Sequence, residues 1–133
     1  MFTLGTPSRL ALATVLALAF TPLAAQDFQK GLAAAQAGDF ATALQEWTPL
    51  ADQGNASAQY NLGIMYGQGQ GVLQDNVMAH MWYNIASANG NDKSGEWRDE
   101  RAGLMTPADI SKAQAMAREC MSSGYTKCGY WSE

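Results

Sequence analysis

Apolar residues recur at helical spacing along the chain after Gln26, and the breaks between these runs fall at glycines. The clearest stretch runs from Gly54 to Gly90, each end a glycine suited to a left-handed helix stop. Within Ala56 to Tyr66, the residues Ala58, Leu62, Met65 and Tyr66 recur at i, i+4, i+7 and i+8, which predicts a helix with one apolar face. Gly67, Gly69 and Gly71 then supply a loop with three places for positive φ. Val72 and Leu73 give that loop an apolar side to tuck in, and Asp75 is placed to cap the next helix. A second helix is expected from about Asn76 to Asn89. Met78, Met81, Trp82, Ile85 and Ala86 line one of its faces and Ala79, Tyr83 and Ala86 a second, so it should touch neighbours on both sides.

The same unit is present in worn form just upstream. A shift of thirty-six places Asp39 on Asp75, Ala43 on Ala79, Trp47 on Tyr83 and Gly54 on Gly90; before the loop the shift is thirty-two, with Gly31 on Gly63. Four loop residues are missing, and Gly38-Asp39 makes the turn alone. Helices are expected at Phe28 to Ala37 and Phe40 to Gln53, the second with an inner stripe of Phe40, Ala43, Leu44, Trp47 and Leu50 and a kink imposed by Pro49. Downstream of Gly90 the pattern loosens. A weak helix to about Met105 keeps only Trp97, Leu104 and Met105 as anchors. Its successor is well marked: Thr106 as cap, Pro107 at the first helical position and Asp109 completing a T-x-x-D box. Ile110, Ala113, Ala117, Cys120 and Met121 form its apolar face, and Ser122-Ser123-Gly124 ends it. Lys112 and Arg118 charge the opposite face, as the end of a stack requires for solubility.

The run A-x-A-Q-Y-x-L-G-x-M-Y-x-x-G-x-G-V-x-Q-D from Ala56 to Asp75, followed by A-x-x-W-Y from Ala79 to Tyr83 and a closing Gly90, closely resembles the Sel-one-like repeat of the tetratricopeptide superfamily. The resemblance implies an all-α fold, a short α-solenoid of stacked helix-turn-helix repeats. Residues 26–54 form a degenerate repeat, 55–90 a well-matched one, and 91–133 a half repeat with a cap helix and tail. It also implies packing roles for Leu62, Gly63, Tyr66, Ala79, Tyr83 and Ala86. The side of the first central helix that superfamily members turn toward the hollow of the stack would carry Ser57, Tyr60, Ile64 and Gln68. An exposed Tyr-Ile pair flanked by polar groups is expected to hold an extended peptide.

Composition adds the compartment. Of 133 residues, the first 25 hold a lone Arg9, an apolar run from Leu10 to Phe20, and Thr21-Pro22-Leu23-Ala24-Ala25, the organisation of a signal peptide for export to the periplasm or beyond. Removing them leaves 108 residues with seven basic and twelve acidic side chains, a net charge of −5 that argues against nucleic acid and anionic membranes. Cys120 and Cys128 are the sequence's two cysteines. A redox pair or half a metal site is the alternative to a structural disulfide. The spacing is wider than C-x-x-C and His80 is the single imidazole, so a disulfide stapling the C-terminal cap is expected, worth about 2 to 2.5 kcal/mol by chain entropy.

A search for chemistry finds little. His80 has no cysteine at its helical neighbours and no compelling Ser–His–Asp order. Glu96, Asp99 and Glu100 are interleaved with Arg98 and Arg101, which predicts a salt-linked exposed face. The loop glycines follow no strand and precede no Lys-Ser/Thr, so they make no phosphate loop. The expectation is therefore a non-enzymatic, monomeric scaffold for an unidentified protein or peptide, with no catalytic residue, metal or cofactor. The alternatives are a weak β-lactam-binding or hydrolysing enzyme, a property associated with cysteine-rich relatives whose paired cysteines lie in each repeat, and a structural subunit of an envelope complex.

Overall fold

The computed structural model describes Gly5 and residues 27–129. The export signal expected in residues 1–25 lies, Gly5 apart, outside the described residues. Six helices follow one another with no strand among the described residues: α1 (Phe28–Gln36), α2 (Phe40–Ala51), α3 (Ala56–Gln68), α4 (Asn76–Ala88), α5 (Ser94–Ala102) and α6 (Pro107–Ser122). Five begin on a side chain that accepts from the free N–H groups of the first turn, namely Asp27, Asp39, Asn55, Asp75 and Thr106. Before α5 the same work falls to Asn91, whose Oδ1 accepts from the N–H groups of Lys93 and Ser94.

The internal repetition is present in detail. In both units the capping aspartate sends its own N–H back to the preceding helix, Asp39 to the Ala34 carbonyl at 2.8 Å and Asp75 to the Tyr66 carbonyl at 2.9 Å. In both, a glycine of the first helix lies beneath an aromatic ring of the second. A Cβ at Gly31 would stand 2.5 Å from Nε1 of Trp47, and one at Gly63 the same distance from Cε1 of Tyr83. Only a residue without a side chain permits these approaches. Ala43 and Ala79 are fully buried in equivalent places, and Gly54 and Gly90 close their units with φ of 86° and 96°.

Helix α4 is the centre of the molecule, with eight of its thirteen residues buried. It packs against α3, α5 and α6, while α2 joins α1 to α3. The core includes Trp47, Leu62, Met65, Met81, Trp82, Ile85, Ala117 and both cysteines. Cys120 and Cys128 are joined, tying the last turn of α6 to the tail. The fold is thus the expected all-α short solenoid with a stapled cap. Helices α5 and α6 each lean on α4 and scarcely touch one another, unlike the pairs α1–α2 and α3–α4.

Several expectations need correction. Gly67 does not open the loop. It lies buried inside α3 without positive φ, and a Cβ there would meet the Arg101 guanidinium at 2.8 Å. Gly69 instead ends the helix in the left-handed region, and Gly71 (φ 70°) presses on α2, where a Cβ would stand 2.9 Å from that of Phe40. Leu73 does not tuck in with Val72, being 91% exposed, and Leu104 is no anchor, since it lies beyond α5 and is 67% exposed. The chain tolerates both because isolated apolar residues on turns lose little in water. Finally, Arg101 takes no part in a salt-linked face: its Nη1 donates to the Gly67 carbonyl and to Asn76 Oδ1, leaving Arg98–Asp99 as the ion pair formed on α5 among the described residues.

Candidate functional site

A hollow of about 330 Å³ opens where α1, the start of α2 and α3 meet. Its apolar lining comes from Phe40 and Trp47 of α2 and Ile64 and Met65 of α3, and its polar lining from the carboxamides of Gln36, Asn61, Gln68 and Gln70. None of the described residues lining it carries a charge. Local sequence explains the shape. The short Gly38-Asp39 turn keeps the end of α1 close to the start of α2, while the longer loop after Gly69 folds back so that Gly71 rests against Phe40. Trp47 is held from beneath by Gly31 and by a hydrogen bond from its Nε1 to the Phe28 carbonyl at 3.2 Å, and its ring lies 5.8 Å from that of Phe28.

The four residues expected to face the hollow divide between two places. Ile64 and Gln68 line it. Ser57 is exposed at the first turn of α3. Tyr60 is half-buried rather than exposed, because its ring packs 5.9 Å from that of Tyr83, which in turn lies 6.5 Å from Trp97. This aromatic row crosses α3, α4 and α5, and burial pushes the Tyr83 phenol up to about 12 and that of Tyr60 in the same direction. Asn61, Gln36 and Gln70 were missed. Asn61 stands three residues before Ile64, so helical spacing alone would have found it; Gln36 and Gln70 belong to helix ends whose position depends on the two turns.

A larger groove of about 660 Å³ lies between the start of α4 and α6, over Val77, Met78 and Met116, with Asp75, Glu119, Lys112 and Lys127 at its sides. His80 is buried (2% exposed), and its Nδ1 has no hydrogen-bond partner among the described residues. Burial, reinforced by Arg98 and opposed by Asp99, lowers its pKa below 6.5, which favours the neutral ring. No group of three His, Cys, Asp or Glu side chains suited to a metal ion occurs among the described residues, and no helix among them is long and apolar enough to cross a membrane.

Comparison with known proteins places the central unit. Residues 56–91, which comprise α3, its loop, α4 and the three residues after it, match the family model of the Sel1 repeat. No curated protein and no solved structure matches the chain.

Proposed function

We propose that this chain, in which α3 and α4 match the Sel1 repeat, is an exported helical-repeat scaffold for protein interaction that binds an extended peptide segment of a partner along α3. The observation that carries this reading is the uncharged hollow, with an indole, a phenyl ring and an isoleucine set among four carboxamides. Carboxamides both donate and accept, so they suit the alternating N–H and C=O groups of a peptide backbone, while the apolar lining takes a side chain. Ser57, Tyr60, Ile64 and Gln68 follow α3 at i, i+3, i+7 and i+11. At 1.5 Å per residue this strip is about 16 Å long, the span of about five extended residues.

The test is selection of binders from a random peptide library on the oxidised protein, followed by mapping with backbone amide chemical shifts. The expected binder is poor in charge and perturbs Asn61, Ile64 and Gln68. Ile64→Ala should weaken it by about 1–3 kcal/mol without lowering Tm appreciably, and its affinity should change little between low and physiological salt. Binders that perturb only the α4–α6 groove, or that depend steeply on salt and ignore Ile64→Ala, would move the site elsewhere.

A further inference from the structure

The turn that joins the two repeats is gripped from a distant part of the chain. Gln59 is fully buried on α3; its Nε2 donates to the Ala51 carbonyl at the end of α2, and its Oε1 accepts from Asn89 Nδ2 at the end of α4, both at 2.9 Å. The same Asn89 nitrogen donates to the Tyr125 hydroxyl at 2.9 Å. The Tyr125 ring also covers Gly54, where a Cβ would stand 3.6 Å from the phenolic oxygen. Tyr125 is the one non-glycine residue with positive φ among the described residues, at 66°, a conformation rarely adopted by residues with a side chain. It sits inside the loop closed by Cys120 and Cys128, with its N–H on the Cys120 carbonyl at 2.8 Å.

From this chain of contacts we propose that the Cys120–Cys128 loop is a redox-operated clamp on the junction between the repeats, acting through Tyr125, Asn89 and Gln59. Both cysteines are fully buried, so a reductant reaches the bridge only when the tail lifts, and lifting the tail withdraws Tyr125 from Gly54 and Asn89. An external dithiol then attacks one sulfur, and its second thiol resolves the mixed disulfide. The dithiol ends as a disulfide and Cys120 and Cys128 as thiols, two electrons and two protons having passed to the protein. Once Asn89 is no longer held, Gln59 Oε1 is left with a wandering donor in a buried place, and the angle between α2 and α3 is no longer fixed. Because Trp47 of α2 and Ile64 of α3 line the same hollow, and on the reading that the hollow is the binding site, reduction weakens peptide binding.

Amide hydrogen exchange on the full chain, oxidised and then reduced with dithiothreitol, tests the clamp. The amides of Gly54, Asn55, Ala58 and Gln59 should exchange about fivefold or more faster after reduction, the effect of losing about one net hydrogen bond, while those of α5 should keep their rates. Oxidised Tyr125→Phe, which retains the disulfide but not the hydroxyl, should accelerate the same four amides; if reduction unfolds the chain altogether, this variant decides. Acceleration confined to Gly124–Gly129 and the last turn of α6, with the four junction amides unchanged in both experiments, would reduce the bridge to a local staple and overturn the proposal. Affinity for a peptide selected on the oxidised protein separates the two readings. A loosened junction with unchanged affinity keeps the clamp and removes the hollow as the binding site, whereas an unchanged junction with lost affinity removes the clamp.

Discussion

Adding one methyl group at Gly63 should destabilise the protein, although the same change elsewhere on a helix should stabilise it. An ideal Cβ at Gly63 lies 2.5 Å from Cε1, 2.6 Å from Cδ1 and 3.1 Å from Cγ of Tyr83, well inside van der Waals contact. The ring has little room to retreat, since it is 1% exposed and stands between Tyr60 at 5.9 Å and Trp97 at 6.5 Å. Overpacking of this kind costs about 1–3 kcal/mol, whereas replacing a helical glycine by alanine gains up to about 1 kcal/mol in propensity. With the full gain set against that cost, the net for Gly63→Ala is a loss of up to about 2 kcal/mol. Gly95 supplies the control. It lies in the first turn of α5, its Cβ would meet nothing closer than Ser87 Oγ at 3.6 Å, and Gly95→Ala should gain about 0.5 kcal/mol. Urea or thermal unfolding reads both, at about 4–8 °C in Tm per kcal/mol for a domain of this size. Adding Tyr83→Leu to Gly63→Ala should recover about 1 kcal/mol as a coupling energy, because the shorter side chain makes room for the methyl group. Shifts of the same sign and size for Gly63→Ala and Gly95→Ala, with no coupling to Tyr83, would refute the close approach.

Other variants probe groups whose burial has a definite sign. Burial raises the pKa of Asp52, at the end of α2, and its Oδ1 is buried with no hydrogen-bond partner among the described residues; Asp52→Asn should gain about 0.3–1 kcal/mol at pH 7 by removing a negative charge from a helix C-terminus. The folded pKa lies above the unfolded 3.8, so wild-type stability should recover as pH falls through the raised value, and urea midpoints at pH 7 and pH 4 should show the gap between the two proteins closing. For His80 the sign is reversed: the folded pKa is below 6.5, so its contribution is complete above pH 6.5 and declines as pH falls from there toward the lowered value, where protons go to the unfolded chain. Urea midpoints should therefore fall between pH 7.5 and 5.5 in the wild type and much less in His80→Gln. Titration with a thiol reagent under denaturing, non-reducing conditions should find no free thiol, and reduction should lower Tm, in keeping with the roughly 2 to 2.5 kcal/mol expected for a loop this short.

The features legible in the sequence were those fixed by neighbours within a turn or two. Asp75 and Thr106 cap because the chain immediately after them offers free N–H groups, and Gly31 and Gly63 announced themselves by recurring at the same place in two units. The misreadings concern residues whose partners are far along the chain. Gly67 has the composition of a loop residue, and only the arrival of Arg101, thirty-four positions later, makes it a contact point within a helix. The Tyr125–Asn89–Gln59 chain has the same character. Hydrophobic periodicity reports which face is buried and is silent about which buried carboxamide meets which hydroxyl. The hollow was half legible for a related reason: Ile64 and Gln68 share a helix face that spacing reveals, but the hollow's other side depends on how far the loop after Gly69 folds back toward Phe40.

The end of the stack shows why a covalent bond is needed where the pattern fades. The third unit remains in register with the second, for Asn55 and Asn91 stand thirty-six residues apart and cap Ala58 and Ser94, themselves thirty-six apart. The same shift carries Leu62 to Arg98 and Gly63 to Asp99. In α3 that Leu-Gly pair is buried and lets Tyr83 of α4 come down onto the helix, whereas in α5 the corresponding pair is an ion pair with Asp99 exposed. A helix cannot press an apolar ridge onto charged side chains without stripping their water, at a cost that one short ion pair does not repay. Helix α6 consequently turns from α5 and buries Ala113, Ala117 and Cys120 while packing on α4. The interface it gives up is the one that closes the other two units, where Gly31 and Gly63 lie beneath aromatic rings, and the Cys120–Cys128 bond supplies at the tail the order that a third such glycine would otherwise have supplied through packing.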